Sequence, residues 1–224
     1  SVDGQGPFIH TPGGFRYAMT VVDHKTRTPR TILLRQKSDA WPALKKIILQ
    51  AKTQSFAITT VEFSDRTVKG IDPTWDDSVC HGSVAFLRSD NGGEFSSNEL
   101  FSYCSDAGIA IERTVAGVSS QNGLAERFNR TSMEAARANL VFSGMPSRYW
   151  GAALLAAVHV KERSPHSALS FRSPYEVRTG SLPDLSHLRT FGCKAYVLDP
   201  TTKDAAKGLM CVFVGYDPIR RGYL

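Results

Sequence analysis

The sequence predicts an α/β domain built on a mixed sheet, followed by a small β module. Three observations carry that prediction. Strand-like runs at residues 15–22 and 31–34 follow one another with only a turn-sized gap, which makes an all-parallel, doubly wound sheet unlikely to satisfy the chain. From residue 38 onward helix-like and strand-like segments alternate, as they do where crossovers join strands of one sheet. After residue 188 the helical period is gone, and FGCKAYVLD, CVFVGYD and RRGYL read as strands.

The elements follow in order. FRYAMTVV, after the turn signal TPGG, alternates large apolar with smaller or polar residues, and residues 31–34 form the next strand. Ser38 is the expected N-cap of a helix with Asp39 and Pro42 in its opening turns. Leu44, Ile47, Ile48 and Ala51 recur on one face of it, with Lys45, Lys46 and Lys52 largely off that face. Residues 64–83 are rich in turn formers and read as a surface insertion, its acids Asp65, Asp72, Asp76 and Asp77 solvated. A strand at 84–89 leads into Asp90, and the Asn91-Gly92-Gly93 turn bends the chain sharply after it. Ser97 caps a helix through residue 106, Gly108 stops it, and 109–111 is a strand.

Ser119 or Ser120 is expected to open the next helix, with Leu124, Phe128, Ala135 and Phe142 along its apolar stripe. That stripe turns Glu126 away from the core, with Asn122, Asn129 and Arg130 on its side. Ser147 begins a helix with broad apolar faces that Pro165 ends, and SPYEVRTG supplies a short one. The organisation predicted is a catalytic core at 1–165, a connecting segment at 166–187 and the β module at 188–224.

Composition narrows the class. A chain of 224 residues, 42% hydrophobic and 21% charged, can bury a real core and carry a smaller appendage. Its net charge of +6 and pI of about 9.2 favour an anionic partner. No apolar run approaches the roughly 20 residues of a membrane-spanning helix, so no membrane association is expected. The start at Ser1, with no Met and no signal-like pattern, predicts a piece of a longer product. Cys80, Cys104, Cys193 and Cys211 lie far apart with no C-x-x-C pair, which argues for reduced thiols rather than zinc or disulfides.

The chemistry concentrates in RSDNGGEF and SSQNGLAERFNR. These place two carboxylates, Asp90 and Glu126, with 35 residues between them, and a third, Asp3, sits in DGQGP. Carboxylate oxygens suit hard divalent cations, and two such ions can serve phosphoryl transfer on a polynucleotide. Taken singly each acid has an ordinary reading, a turn residue or a solvated helix residue; the three together point to a metal site.

Those motifs give the chain a specific resemblance. SDNGGEF followed by SQNGLAER resembles the D,D-35-E signature of retroviral and retrotransposon integrases. DGQGP, FRYAMTVVDHKTR, RYWGAALLAAVHVKERSP, SPYEVRTG, HLRTFGCKAYV and CVFVGYDP make it similar to the Copia-type branch along nearly the whole chain. The resemblance implies an RNase H-like core, a mixed five-stranded sheet flanked by helices, then a small β-barrel-like module. It implies Asp3, Asp90 and Glu126 as catalytic metal ligands for two Mg2+ (or Mn2+) ions. It also implies joining of element DNA ends to target DNA, with end trimming as an optional first step. Double-stranded DNA and further copies of the chain are the partners implied, with a nuclear site of integration after a cytoplasmic particle stage.

Within the same resemblance, residues 116–123 match a mobile active-site loop. Gln121 and Asn122 are the expected DNA contacts there, with helix capping as their alternative. Arg127 and Arg130 are the best phosphate-binding candidates among Arg88, Arg113, Arg127, Arg130 and Arg137. Asp23 is the rival for the first acid position, with a strand-end turn as its other reading. The spacing from Asp3 to Asp90 exceeds the family pattern, and the 64–83 insertion accounts for the excess. The family's upstream His/Cys zinc module is not in this sequence. Two other functions share these residues: a non-enzymatic DNA-binding module derived from such an element, and a nuclease acting on RNA–DNA hybrids.

Overall fold

The computed structural model describes residues 1–52, 84–89, 97–113, 122–198, 208–217 and 222–224. The insertion at 64–83 with its four acids, and Ser119 and Ser120, lie outside these residues. The central sheet is formed by β1 (Val2–Gln5), β2 (Tyr17–Val22), β3 (Pro29–Leu34), β4 (Phe86–Ser89) and β5 (Ala110–Arg113), in the order β3-β2-β1-β4-β5. β1 and β2 pair antiparallel, as do β2 and β3, while β4 runs parallel to both β1 and β5. The mixed sheet expected from sequence is therefore present. Its parallel half needs a crossover, which α2 (Asn98–Asp106) provides between β4 and β5.

Strand alternation sends side chains into two cores. Met19 and Leu34, with Val2 and Leu87, pack against Trp41, Leu44 and Ile48 of α1 (Ala40–Lys52) and Leu100 of α2. On the other face, Ala18 and Leu33 meet Met133 and Ala136 of α3 (Gly123–Ser143) and Trp150, Ala153 and Leu154 of α4 (Trp150–Arg163). α4 comes close to β3 at Gly151, where an added Cβ would lie 2.7 Å from Leu33 Cδ1. Among the described residues no helix is long and apolar enough to cross a membrane.

Local signals set most helix ends. Ser97 Oγ accepts from Leu100 N at 3.3 Å, and Ser173 Oγ accepts from Glu176 N at 3.1 Å to start α5 (Pro174–Thr179). Ser38 does not cap α1. Its hydroxyl donates to Gln36 Oε1, and it is Asp39 that accepts from Gln36 N at 2.9 Å, closing a turn of 3-10 helix ahead of α1.

The face that α3 buries differs from the expected stripe. Its buried residues are Gly123, Ala125, Asn129, Ser132, Met133 and Ala136, whereas Phe142 is 80% exposed. Small and polar side chains let the helix lie close on the sheet, so large apolar residues are not what marks its inner face. Glu126 is half-buried along the edge of that face instead of turned away from the core.

After α5 the chain reaches β6 (Lys194–Leu198) and β7 (Gly208–Val212), an antiparallel ribbon, with a Tyr216–Tyr223 bridge beyond it. Among the described residues the β module is this ribbon and bridge, without a closed barrel. Phe191 joins the second core, and Gly192 approaches the end of α3 so closely that a Cβ there would meet Ser143.

A histidine and tyrosine cluster fastens the module to α4. His159 stacks on Tyr216 with ring centroids 4.0 Å apart, and its Nε2 is 2.9 Å from His187 Nε2. Burial, reinforced by Arg163 and His187, lowers the His159 pKa from 6.5 to about 3. The imidazole is thus neutral when docked, and its stabilising share is complete above the unfolded pKa of 6.5. That share is lost as pH falls from 6.5 toward 3, because the unfolded chain then binds the extra proton. Between pH 7.5 and 5.0 it should cost about 2 kcal/mol of stability. Thermal unfolding of the wild type and of His159→Phe, which keeps an aromatic ring against Tyr216, checks this. The variant should lack that part of the acid-induced loss.

Candidate metal centre and nucleic-acid face

β1 carries the first candidate acid at the middle of the sheet. Val2 points into the α1 side, so strand alternation turns Asp3 to the α3 side. There Asn129 Nδ2 donates to Asp3 Oδ2 at 2.9 Å. Two turns earlier, at the residue that precedes α3, Asn122 Nδ2 donates to Val2 O at 3.0 Å. Asn122, Glu126 and Asn129 stand at i, i+4 and i+7, so helical spacing puts Glu126 between two side chains that both reach β1. Asp3 and Glu126 thereby share one side of the molecule, both half-buried.

Asp90 lies outside the described residues. Its chain neighbour is informative: Ser89 ends β4 and is the register partner of Val2. The residues immediately before Asp90 and immediately before Asp3 are therefore side by side in the parallel pair. Among the described residues no group of three His, Cys, Asp or Glu side chains forms a metal cluster. The two described acids fit a hard cation by donor type, both offering carboxylate oxygen, and Asn129 fixes the orientation of one.

Asn122, an expected DNA contact, is buried in this structure. It is 1% exposed, and its amide is engaged under the site, where it holds the first turn of α3 on β1. It also stands at the N-cap position without a side-chain capping bond, and its Oδ1 is buried without a hydrogen-bond partner among the described residues. Gln121 and the rest of the loop at 116–121 lie outside the described residues. Arg127 and Arg130 are exposed on the first turns of α3, and the Arg127 guanidinium lies over Gly123. Arg137 is exposed, and the side chain of Arg113 lies outside the described residues. Arg88 is already engaged, its Nε donating to Glu112 Oε2 at 2.9 Å across the β4–β5 pair.

Asp23, the rival for the first acid position, is a turn residue. Its Oδ2 accepts from Thr26 N and Thr26 Oγ1, both at 2.7 Å, closing the β2–β3 hairpin. Sequence reading placed Asn129 on the side of Glu126 without giving it a role. The signal available was its spacing, three residues past the acid.

No protein-family model matches the chain. It is 34% identical over 222 residues, 97% of its length, to the retrovirus-related Pol polyprotein from transposon TNT 1-94 of Nicotiana tabacum. It is 30% identical over 213 residues, 94% of its length, to that from transposon RE1 of Arabidopsis thaliana. Over nearly all its length the chain is a homologue of Copia-type Pol polyproteins. It spans 15% of the tobacco polyprotein and 13% of the Arabidopsis one. Among solved structures, a simian T-cell lymphotropic virus intasome in complex with a PP2A regulatory subunit aligns with TM-score 0.52 and 13% identity. The alignment covers 93% of this chain and 64% of that one. The fold of this Pol homologue is the RNase H-like fold of integrase cores.

Proposed function

We propose that this chain is the catalytic core of a retroelement integrase, joining DNA 3′ ends to a target duplex by divalent-metal-dependent phosphoryl transfer. The observation that carries the reading is the arrangement around β1. Asn122 and Asn129 tie α3 to Val2 and Asp3, with Glu126 between them, while the β1–β4 register sets Ser89 beside Val2. Asp3, Asp90 and Glu126 would hold Mg2+ or Mn2+. Bound there, two such ions would supply positive charge at the phosphate and lower the pKa of the attacking hydroxyl.

The chemistry exchanges one phosphodiester for another. A 3′-hydroxyl oxygen forms the new P–O bond, the target strand's P–O3′ bond breaks in line, and the proton passes from attacking to leaving oxygen. The chain's own residues align the reactants: Asn129 orients the Asp3 carboxylate, and Arg127, Arg130 and Gln121 bind flanking phosphates. Double-stranded DNA as substrate and assembly of several copies agree with the intasome whose fold the chain shares. The reading places its action in the nucleus, after a cytoplasmic particle stage.

The test is a joining assay with labelled duplex ends and a plasmid target, in Mg2+ or Mn2+ and in chelator. Metal-dependent joined product is the expected result; failure to join under any divalent metal, with the fold intact, defeats the reading. Asn129 gives a finer prediction. Removing a side chain that orients a metal ligand typically costs about 10–100-fold in metal affinity or activity. Asn129→Ala should therefore raise the Mg2+ concentration needed for half-maximal joining by that order, with recovery at high Mn2+. A lowered plateau with an unchanged metal requirement would instead mean that Asn129 serves only the fold.

A further inference from the structure

The end of α4 carries a concentration of positive charge that the proposed active site does not use. Six cationic side chains gather there: Arg27 and Arg30 from the β2–β3 hairpin, Lys161 and Arg163 from α4, and Arg172 and Arg178 around α5. Three carboxylates accompany them, and each is engaged. Glu162 is buried among Arg30, Arg163 and Arg178, Glu176 pairs with Arg172, and Asp23 closes the hairpin on Thr26. His166 lies within the electrostatic reach of both Arg27 and Lys161, which ties the hairpin, α4 and the following loop into one surface.

In the loop that follows α4, between His166 and Arg172, Phe171 is 77% exposed. It is held there by backbone that an L-residue adopts at a cost: Ser170 and Phe171 both have positive φ, 54° and 61°. The loop is closed by His166 N donating to Arg172 O at 3.0 Å and Phe171 N donating to His166 O at 3.1 Å. Arg27, on the neighbouring hairpin, also has a positive φ of 60°. An exposed aromatic in strained backbone, next in the chain to Arg172, contributes nothing to the core.

We infer that this surface is a second duplex-DNA contact, separate from the carboxylates. Arg27, Lys161 and Arg172 meet phosphates, and Phe171 packs its ring on the sugar edge of a groove. The excess of positive charge selects a polyanion over a protein partner, and an apolar ring beside phosphate contacts suits a groove edge. The inference rests on the reading of the chain as a DNA-joining enzyme, and its test separates the two.

The test is fluorescence anisotropy of the 224-residue chain on a labelled duplex in chelator, titrated with salt. Arg27→Ala and Lys161→Ala should each lower the slope of log affinity against log salt by about one. Phe171→Gly should weaken binding several-fold at one salt concentration, with unchanged slope and an equal or higher Tm, because glycine relieves the positive φ. Unchanged affinity and slope in all three variants, beside a wild type that binds and joins DNA, would overturn this inference and leave the proposed function standing. A wild type that joins nothing, yet loses duplex affinity in these variants, would support the surface and overturn the enzyme. Altered self-association with unchanged DNA affinity would overturn it in favour of a contact between copies.

Discussion

Glu126→Gln and Asp3→Asn should each abolish DNA joining while the chain stays folded. Both changes keep the shape of the side chain and remove one negative charge. At Asp3 the replacement also keeps the hydrogen bond, because an asparagine Oδ1 can still accept from Asn129 Nδ2 where Asp3 Oδ2 does now. What is lost is the charge that would hold a cation against a phosphate. Losing one element of such preorganised stabilisation costs on the order of 10²–10³-fold in rate. The measurement is joined product per unit time in Mg2+, beside duplex affinity in chelator and a thermal melt. Joining should fall by at least that order, with affinity and Tm nearly unchanged. Wild-type joining in both variants would remove these acids from the chemistry and leave the homology to speak for ancestry alone.

The largest stability effect should come from Glu162→Gln. Glu162 is buried on α4, accepting from Arg178 Nη2 at 2.7 Å and Arg30 Nη1 at 3.2 Å, with Arg163 Nη1 at 3.5 Å. Burial alone would raise its pKa; Arg30, Arg178 and Arg163 outweigh that and bring it from 4.5 down to about 2. Arg178 is itself pulled down by burial to about 10, which still leaves it charged at neutral pH. The pair is therefore ionised, and its stability is present above pH 4.5 and lost as pH falls toward 2. That shift corresponds to about 3 kcal/mol, in line with the roughly 3–5 kcal/mol lost when one partner of a buried ion pair is removed. For a chain of this size the change should lower Tm by on the order of 10 °C at pH 7. It should lower it far less at pH 2.5, where the wild type has already lost most of the benefit. Calorimetry at the two pH values checks both the size and the sign, and an equal drop at both would exclude the ionic explanation.

The sequence alone determined the α/β class, the mixed sheet and the order of the elements after β1, which was not among the strands its local pattern gave. It also determined the helix start at Ser97 and the short helix within SPYEVRTG, because hydrophobic period and capping are properties of neighbouring residues. The three candidate acids were likewise legible, through their spacing and the resemblance it carries. Tertiary structure decided which face of α3 is inner. Ala125, Asn129 and Ser132 are buried there because the helix lies close on β1 and β2, and no count of apolar residues anticipates close backbone approach. It buried Asn122, an expected DNA contact, against Val2, and gave Asn129 a carboxylate to orient. It also brought Arg30, Glu162 and Arg178 together from three elements, a meeting that depends on how the chain returns on itself and is written in no local pattern.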